Sequence, residues 1–286
     1  MEKIKLIAID IGGTLLTDNN EVSKENIEII KNVKKAGIKI ALITARMYSS
    51  TKYISNLIDA DYGIFGNGSV VMELKSEKII KYDYLSKNDV KKLIDFSKEE
   101  KLYAHISRLF VELSDENKYF ALKHNILNNN YPKKLKSNIL VVNNLKYYCE
   151  KHTDIVKIIL VSEKNMDLIV NKINNIFSNL YITEYNKNLY EYAIDKTINY
   201  IEIGNNYSEK SEGLDCLISK MKINSDAVLV IGDGKNDIEM IKKFNNSACP
   251  LNADNEVKQY VKYVSNKTNS QSAVSDIIKK FVKECR

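Results

Sequence analysis

Cysteine and histidine are scarce in this chain of 286 residues, which contains four cysteines and three histidines. The cysteines are widely scattered and form no Cys-x-x-Cys pair, so we expect reduced thiols rather than a disulfide framework or a zinc site. The histidines also lack the spacing of metal ligands. The sequence therefore argues against both a disulfide-stabilised protein and a zinc protein.

Long apolar runs are also absent. The longest, such as residues 40–43 and 227–231, are far too short to cross a bilayer. Lys3 and Lys5 interrupt the N-terminal apolar residues where a signal peptide would need its core. With 44% hydrophobic and 28% charged residues, the composition is that of an ordinary globular protein. We expect a cytoplasmic protein without membrane contacts.

The net charge of +6 comes with lysine-rich patches, such as residues 31–35 and 133–136. Such patches can attract nucleic acids. No aromatic-basic RNA motif or recognition-helix pattern accompanies them, so we interpret them as solvated surfaces and expect no nucleic-acid partner.

The N-terminal region predicts a parallel sheet. Residues 6–9 form the continuous apolar run of a strand buried on both faces. A helix follows, with Ser23 as its N-cap and Gly37 at its end. A second buried strand at residues 38–43 completes a βαβ unit.

The character of the sequence changes near residue 83 and returns near residue 198. We therefore predict an α/β fold in which residues 1–82 and 198–286 form a Rossmann-like parallel-sheet core domain. Residues 83–197 are interpreted as an inserted α+β cap domain. Within it we predict a strand at 103–113, a helix from about residue 115, a helix at 166–177 and a strand at 189–194.

Two acidic strand ends carry the strongest chemical signals. Asp10 follows the first strand, and the segment GDGKND at 232–237 follows the strand 227–231. A parallel sheet can bring both strand ends to one edge, which would gather Asp10, Asp233 and Asp237. Three carboxylates would repel each other there unless a divalent cation neutralised them, and all-oxygen ligands suit Mg²⁺. The alternative is that these aspartates only cap turns.

The ordered set of motifs resembles the haloacid dehalogenase (HAD) superfamily, in its Cof-like branch with a large α/β cap. The resemblance covers essentially the whole chain, and its segments are DIGGT (10–14), ITAR (43–46), FGNGS (65–69), Lys210 and GDGKND (232–237). In the family pattern Asp-x-Asp-Gly-Thr, Gly12 stands in place of the second Asp.

The resemblance implies a Mg²⁺-dependent phosphatase of small phosphorylated metabolites, such as sugar phosphates, with the cap supplying specificity. Asp10 would be the nucleophile that takes up the phosphoryl group as an aspartyl-phosphate. Thr44 and Lys210 would complete the catalytic set by gripping the phosphoryl oxygens. The metal would be held by Asp10, the backbone carbonyl of Gly12, Asp233 and, directly or from just behind, Asp237. The implied phosphate- and substrate-binding residues are Gly13, Thr14, Thr44, Ala45, Arg46, Asn67, Lys210 and Asn236.

Gly12 departs from the family pattern in a way that bears on turnover. In the family's phosphatases the second Asp protonates the leaving alcohol and then activates water. Without it we expect intact Mg²⁺ and phosphate binding but turnover reduced by about 10²–10⁴-fold. Aryl and acyl phosphates should suffer least, since their leaving groups need little protonation. Thr14, Asp18, a cap residue or water remain as candidate substitutes.

Two other functions stay open at this point. The chain could be a catalytically weak protein that binds a phosphorylated metabolite as a sensor. The Gly-Gly-Thr turn also resembles that of sugar kinases of the actin/hexokinase type, but those kinases continue into antiparallel strands, whereas this chain continues into a helix. A monomer and a homodimer are equally compatible with the sequence.

Overall fold

The structure, a computed structural model, describes residues 3–114, 139–162, 165–185, 199–205 and 209–282. The chain divides into two compact units. The larger unit comprises Met1–Arg46, Thr51–Tyr82 and Glu209–Arg286, and the smaller comprises Met47–Ser50 and Asp83–Ser208. The second boundary therefore lies later in the chain than the predicted residue 198.

Helices and strands of the described residues follow one another along the chain. The first half contains β1 (Leu6–Asp10), α1 (Lys24–Lys35), β2 (Lys39–Ile43), α2 (Tyr48–Leu57), β3 (Tyr62–Phe65), β4 (Val70–Glu73), β5 (Lys78–Tyr82), α3 (Lys87–Glu99), β6 (Tyr103–Ser107), β7 (Glu112–Ser114) and β8 (Ile139–Val141). The second half contains α4 (Leu145–Lys151), β9 (Lys157–Ser162), α5 (Met166–Ile176), β10 (Leu180–Tyr185), β11 (Asn199–Asn205), α6 (Lys210–Met221), β12 (Val228–Ile231), α7 (Ile238–Lys243), β13 (Asn246–Cys249), α8 (Asn255–Lys258), β14 (Tyr263–Val264) and α9 (Ala273–Phe281).

The larger unit is built on a sheet with the strand order β14-β13-β12-β1-β2-β3-β4-β5. The strands from β14 to β3 run parallel, and β4 and β5 are antiparallel additions at one edge. β1 and β12 are buried along their whole length, as their continuous apolar sequences predict. The predicted α/β fold with a parallel-sheet core is confirmed.

Helix α1 shows how local sequence sets the entry into this sheet. The Ser23 side chain accepts a hydrogen bond from the backbone N–H of Asn26, which satisfies one of the free donors of the first turn. Gly37 follows the helix with a positive φ of 84° and donates its N–H to the carbonyl of Lys34. The helix therefore ends just before Gly37, as predicted, and β2 starts at Lys39, one residue after the predicted start.

The smaller unit has a sheet with the order β10-β11-β9-β6-β7-β8. β11 pairs with β9 and β10, so residues 199–205 belong to this unit rather than to the core domain. The predicted single strand at 103–113 is wrong: β6 and β7 form a hairpin, closed by the N–H of Arg108 donating to the carbonyl of Val111. The predicted helix from about residue 115 and the strand at 189–194 lie outside the described residues.

The apolar side chains of α3, α5 and one face of this sheet form the core of the smaller unit. Helix α5 buries the face predicted from its periodicity, which consists of Met166, Ile169, Val170, Ile173 and the following Phe177. None of the helices that the structure describes has the length and apolar character that a membrane span requires.

Within the larger unit, the start of α6 packs tightly against the turn Gly66–Gly68. An alanine methyl group at Gly213 would lie 2.6 Å from Cγ2 of Ile64 and 2.8 Å from Cα of Gly68. Both distances are shorter than real carbon contacts, so only glycine allows this approach. The packing matters because α6 begins with Lys210.

We expect Gly213→Ala to lower the free energy of unfolding by about 1–3 kcal/mol, because the added methyl group overlaps two neighbours. Ser219→Ala changes an exposed position of the same helix and should alter stability by less than about 0.5 kcal/mol. Urea unfolding followed by circular dichroism compares the two variants. Equal midpoints would contradict the tight packing.

Candidate active site

Three neighbouring strand ends meet at the carboxyl edge of the larger sheet. β1 ends at Asp10, which lies beside Ile43 at the end of β2, and the end of β12 lies on the other side of β1. The residues that follow these strands, Thr44 and Asp233 among them, are thereby brought to one edge. The convergence expected from the parallel arrangement is present.

An acidic cluster with one buried lysine forms the centre of this edge. One carboxylate oxygen from each of Asp10, Asp233 and Asp237 lies within 4.8 Å of the others. The Lys210 ammonium donates hydrogen bonds to Oδ1 of Asp10 at 2.6 Å and to Oδ1 of Asp237 at 2.7 Å. Lys210 and Asp237 are almost completely buried, so these are interactions in a low-dielectric environment.

Asp237 organises the loop after β12. Its second oxygen, Oδ2, accepts the backbone N–H groups of Asp233 and Gly234, each at 3.0 Å. With Oδ1 held by Lys210, both oxygens have partners within the protein. Asp237 therefore fixes the position of Asp233, whose carboxylate is the more accessible of the two.

The turn after β1 presses against Asp233 from the other side. The Thr14 hydroxyl donates a hydrogen bond of 2.5 Å to Oδ1 of Asp233. Gly13 has a φ of 71°, and a methyl group there would lie 2.8 Å from the carboxyl carbon of Asp233. The Asn252 side chain donates to the Gly13 carbonyl at 2.9 Å and accepts the N–H of Asn269 at 2.8 Å. Asn252 and Asn269 lie outside the motif segments of the sequence, which therefore do not predict their contacts at this turn.

The electrostatics of the cluster favour a divalent cation. Burial raises the pKa of Asp10 to about 6 against the opposing effect of Lys210. The pKa of Asp233 is raised well above its usual range by burial and by the charges of Asp10 and Asp237. Burial alone would lower the pKa of Lys210, but the two carboxylates that it contacts raise it overall, so it stays an ammonium.

The residues at this edge therefore fit Mg²⁺. One ammonium cannot neutralise three carboxylates, and burial together with the charges of the neighbouring carboxylates raises the pKa of Asp10 and of Asp233. The donor set consists of oxygens, with neither sulfur nor imidazole in the cluster, which suits a hard cation.

The remaining predicted residues form a polar border beside the cluster. The Thr44 hydroxyl accepts the N–H of Arg46 at 3.2 Å, and the Thr44 carbonyl accepts the N–H of Asn67 at 3.1 Å. The Asn236 side chain donates to the side-chain oxygen of Asn67 at 3.2 Å. Asn67 is buried and has a left-handed backbone, with a φ of 53°. Ala45 lies within the same turn, and all predicted site residues belong to the larger unit.

The chain matches the family model of haloacid dehalogenase-like hydrolases over residues 7–278. It belongs to this family. The hydrolase assignment and the Cof-like branch of the HAD superfamily, both predicted from the motifs, are thereby confirmed.

Relatives of this HAD-like hydrolase align over nearly their whole length. YxeH of Bacillus subtilis, provisionally named a phosphatase, is 26% identical over 97% of this chain and 98% of its own. YcsE of the same species, named a 5-amino-6-(5-phospho-D-ribitylamino)uracil phosphatase, is 21% identical over 98% of this chain and 96% of its own. The crystal structure of a haloacid dehalogenase-like hydrolase from Bacteroides thetaiotaomicron has a TM-score of 0.82, at 19% identity over 97% of this chain and 99% of its own. That structural likeness shows the same fold.

Nothing in the backbone of this HAD-like hydrolase demands glycine at position 12. Gly12 has a φ of −80° and a ψ of 128°, which any residue adopts. Among the described residues outside its own chain segment, a Cβ there would have one neighbour within 4 Å, Nη2 of Arg46 at 4.0 Å. An aspartate at residue 12 would therefore fit.

Two candidate substitutes for the missing Asp have other partners. The Thr14 hydroxyl donates its proton to Asp233. Asp18 accepts a hydrogen bond from the Asn269 side chain at 3.0 Å, and its own N–H donates to the Ser270 hydroxyl. Neither arrangement supports a proton-carrying role at Asp10.

We expect Thr14→Val to lower the free energy of unfolding by about 1–3 kcal/mol, because the half-buried Asp233 carboxylate loses the donor of the buried Thr14 while the side-chain volume is kept. Thr14→Ser retains the hydroxyl and should keep most of the stability. Urea unfolding of the metal-free protein makes the comparison. If valine and serine variants unfold at the same urea concentration, the hydrogen bond to Asp233 contributes nothing.

Proposed function

We propose that this protein is a Mg²⁺-dependent phosphatase that hydrolyses small phosphomonoesters, such as sugar phosphates, through an aspartyl-phosphate on Asp10. The observation that carries the proposal is the pairing of Asp10 with the Lys210 ammonium at the carboxyl edge of the sheet, beside Asp233. A carboxylate nucleophile, a fixed cation and an oxygen-lined metal site are what phosphoryl transfer needs. The phosphatase names of full-length relatives agree with it.

The phosphoryl group would be held by hydrogen-bond donors that remain after the contacts within the site are made. The Lys210 ammonium has three N–H donors, of which Asp10 and Asp237 accept two, so the third can reach a phosphoryl oxygen. The Thr44 hydroxyl accepts the N–H of Arg46 and keeps its own proton for a second phosphoryl oxygen. Asn67 and Asn236 lie on the same border and contribute amide donors.

Mg²⁺ would be held by Asp10, the Gly12 carbonyl and Asp233, with Asp237 behind them, and would neutralise the charge of the phosphoryl group. Lys210 fixes one oxygen of Asp10, and the other would attack the phosphorus. Burial raises the pKa of Asp10 and so favours its protonated form. The ion pair with Lys210 opposes this effect, and a bound cation would oppose it too, so that Asp10 stays ionised. Attack by Asp10 would expel the substrate alcohol and form the aspartyl-phosphate.

Proton transfer is the weak step of this site. Gly12 carries no acid, and Thr14 and Asp18 have other partners, so the leaving oxygen would take its proton from water, from the substrate or from a residue of the cap. We therefore propose that turnover is slow with alkyl phosphates and faster with aryl or acyl phosphates.

We expect Mg²⁺-dependent phosphate release from an aryl phosphate by the wild type and none above background by Asp10→Asn. Gly12→Asp should accelerate release from alkyl phosphates by about 10²–10⁴-fold, because it restores a proton carrier at a position with room for it. Colorimetric phosphate assays with Mg²⁺ and with EDTA measure these rates.

Gly12→Asn is the matched control for that experiment. It fills the same space as aspartate without an ionisable group, so it should leave the rate low. Acceleration by asparagine equal to that by aspartate would refute the missing-acid explanation. An inert wild type together with an inert Gly12→Asp variant would refute the phosphatase proposal itself.

The second candidate function is that of a protein that binds a phosphorylated metabolite without efficient turnover, and Gly12 is the observation that favours it. A catalytically inert wild type that still binds the phosphorylated ligand at the Asp10 edge would support this alternative. The sugar-kinase interpretation has no such support, since α1 and a parallel strand follow the Gly-Gly-Thr turn.

A further inference from the structure

We propose that a small carboxylate, either free in solution or carried by the substrate, binds beside Gly12 on the Arg46 guanidinium. There it acts as the proton carrier that residue 12 lacks. The inference rests on the proposed phosphatase function and names a chemical class of ligand for the same site.

The Arg46 guanidinium lines the space beside Gly12. Of the described residues, Arg46 is the one that a side chain at position 12 would meet within 4 Å, at 4.0 Å from its Cβ to Nη2. A carboxylate extending from that Cβ would come within hydrogen-bond reach of the guanidinium. A free carboxylate of similar size can occupy the same place, because Gly12 has no side chain to fill it.

The guanidinium suits a carboxylate ligand, and the backbone of Arg46 is held by two hydrogen bonds. Guanidinium groups bind carboxylates through paired N–H donors, with geometry that favours two parallel hydrogen bonds. The Arg46 N–H donates to the Thr44 hydroxyl at 3.2 Å, and its carbonyl accepts the N–H of Gly66 at 3.1 Å. The loop therefore presents the side chain from a fixed point.

The carboxylates of the acidic cluster have other tasks. Lys210 holds Asp10 and Asp237, and Thr14 donates to Asp233. Gly12 lies two residues after Asp10 in the turn that follows β1, so the proposed position is close to the nucleophile.

The proton balance closes with one carboxylic acid. As Asp10 attacks phosphorus and the bond from phosphorus to the ester oxygen breaks, the acid gives its proton to that oxygen and becomes a carboxylate. The carboxylate then takes a proton from water while the water oxygen attacks the aspartyl-phosphate. The bond from phosphorus to Asp10 breaks, phosphate leaves, and the acid and the Asp10 carboxylate are restored.

The first test uses isopropyl phosphate, whose alkoxide leaving group needs a proton. Phosphate release is measured with sodium formate and, as the control, with sodium chloride at the same ionic strength. We expect saturable acceleration of the wild type by about tenfold or more. Gly12→Asp should not respond, since its own carboxylate fills the position. Gly12→Asn and Arg46→Gln should not respond either, the first because the space is filled and the second because the guanidinium is lost.

A binding measurement checks the same site without turnover. Line broadening of ¹³C-formate in NMR spectra should be saturable with the metal-free wild type and absent with Gly12→Asp and Arg46→Gln. Equal broadening with all three proteins would overturn the assignment to Gly12 and Arg46.

The second arm separates the two sources of the carboxylate. Phospholactate carries a carboxylate next to the phosphate, and isopropyl phosphate is its counterpart with a methyl group instead. If the substrate supplies the acid, the wild type should prefer phospholactate by about tenfold or more without formate, and Gly12→Asp should lose that preference. If only free carboxylate serves, formate alone should accelerate the wild type.

Failure of this inference differs from failure of the phosphatase proposal. Mg²⁺- and Asp10-dependent release that responds to neither formate nor the substrate carboxylate would overturn the inference and leave the phosphatase intact. Absence of release from every ester, with Gly12→Asp also inert, would refute the phosphatase. Formate acceleration that persists in Arg46→Gln would overturn the role of Arg46.

Discussion

The buried ammonium of Lys210 is the interaction on which the site depends. It joins the end of β1 to the loop after β12 through Asp10 and Asp237, and it comes from the first residue of α6. Loss of one partner in such a buried pair typically costs about 3–5 kcal/mol, because the remaining charge stays in a low-dielectric environment. This ammonium neutralises only one of the three carboxylates, so the cluster keeps a negative charge that a divalent cation would balance.

The position of Lys210 depends in turn on packing that has no chemical role of its own. Gly213 lets α6 approach the Gly66–Gly68 turn, and that turn carries Asn67 at the border of the site. On the opposite side, Thr14 and Gly13 hold the carboxylate of Asp233. Neighbours on several loops thus support the acidic cluster around the Lys210 ammonium.

Much of the core could be predicted from the sequence because its signals are local. The continuous apolar runs of β1 and β12 predict buried parallel strands, and parallel strands bring Asp10 and Asp233 to one edge whatever the details of packing. The pairing of β11 with β9 depends on contacts between residues that are far apart in the sequence. The hairpin between β6 and β7 has a turn without glycine or proline, so no local signal marks it. The direction of the Thr14 hydroxyl and the nearness of Arg46 to Gly12 are also tertiary, and no sequence pattern specifies them.

The central claim is that Asp10 forms a covalent phosphoryl intermediate that the site, without an acid at residue 12, breaks down slowly. Rapid mixing of the wild type with an aryl phosphate and Mg²⁺, followed by acid quenching and peptide mass spectrometry, tests it most directly. We expect a burst of about one phenolate per protein, slower release of phosphate, and a phosphoryl group on the peptide that contains Asp10. Simultaneous release of phenolate and phosphate with no labelled peptide, or a label on another residue, would contradict the account.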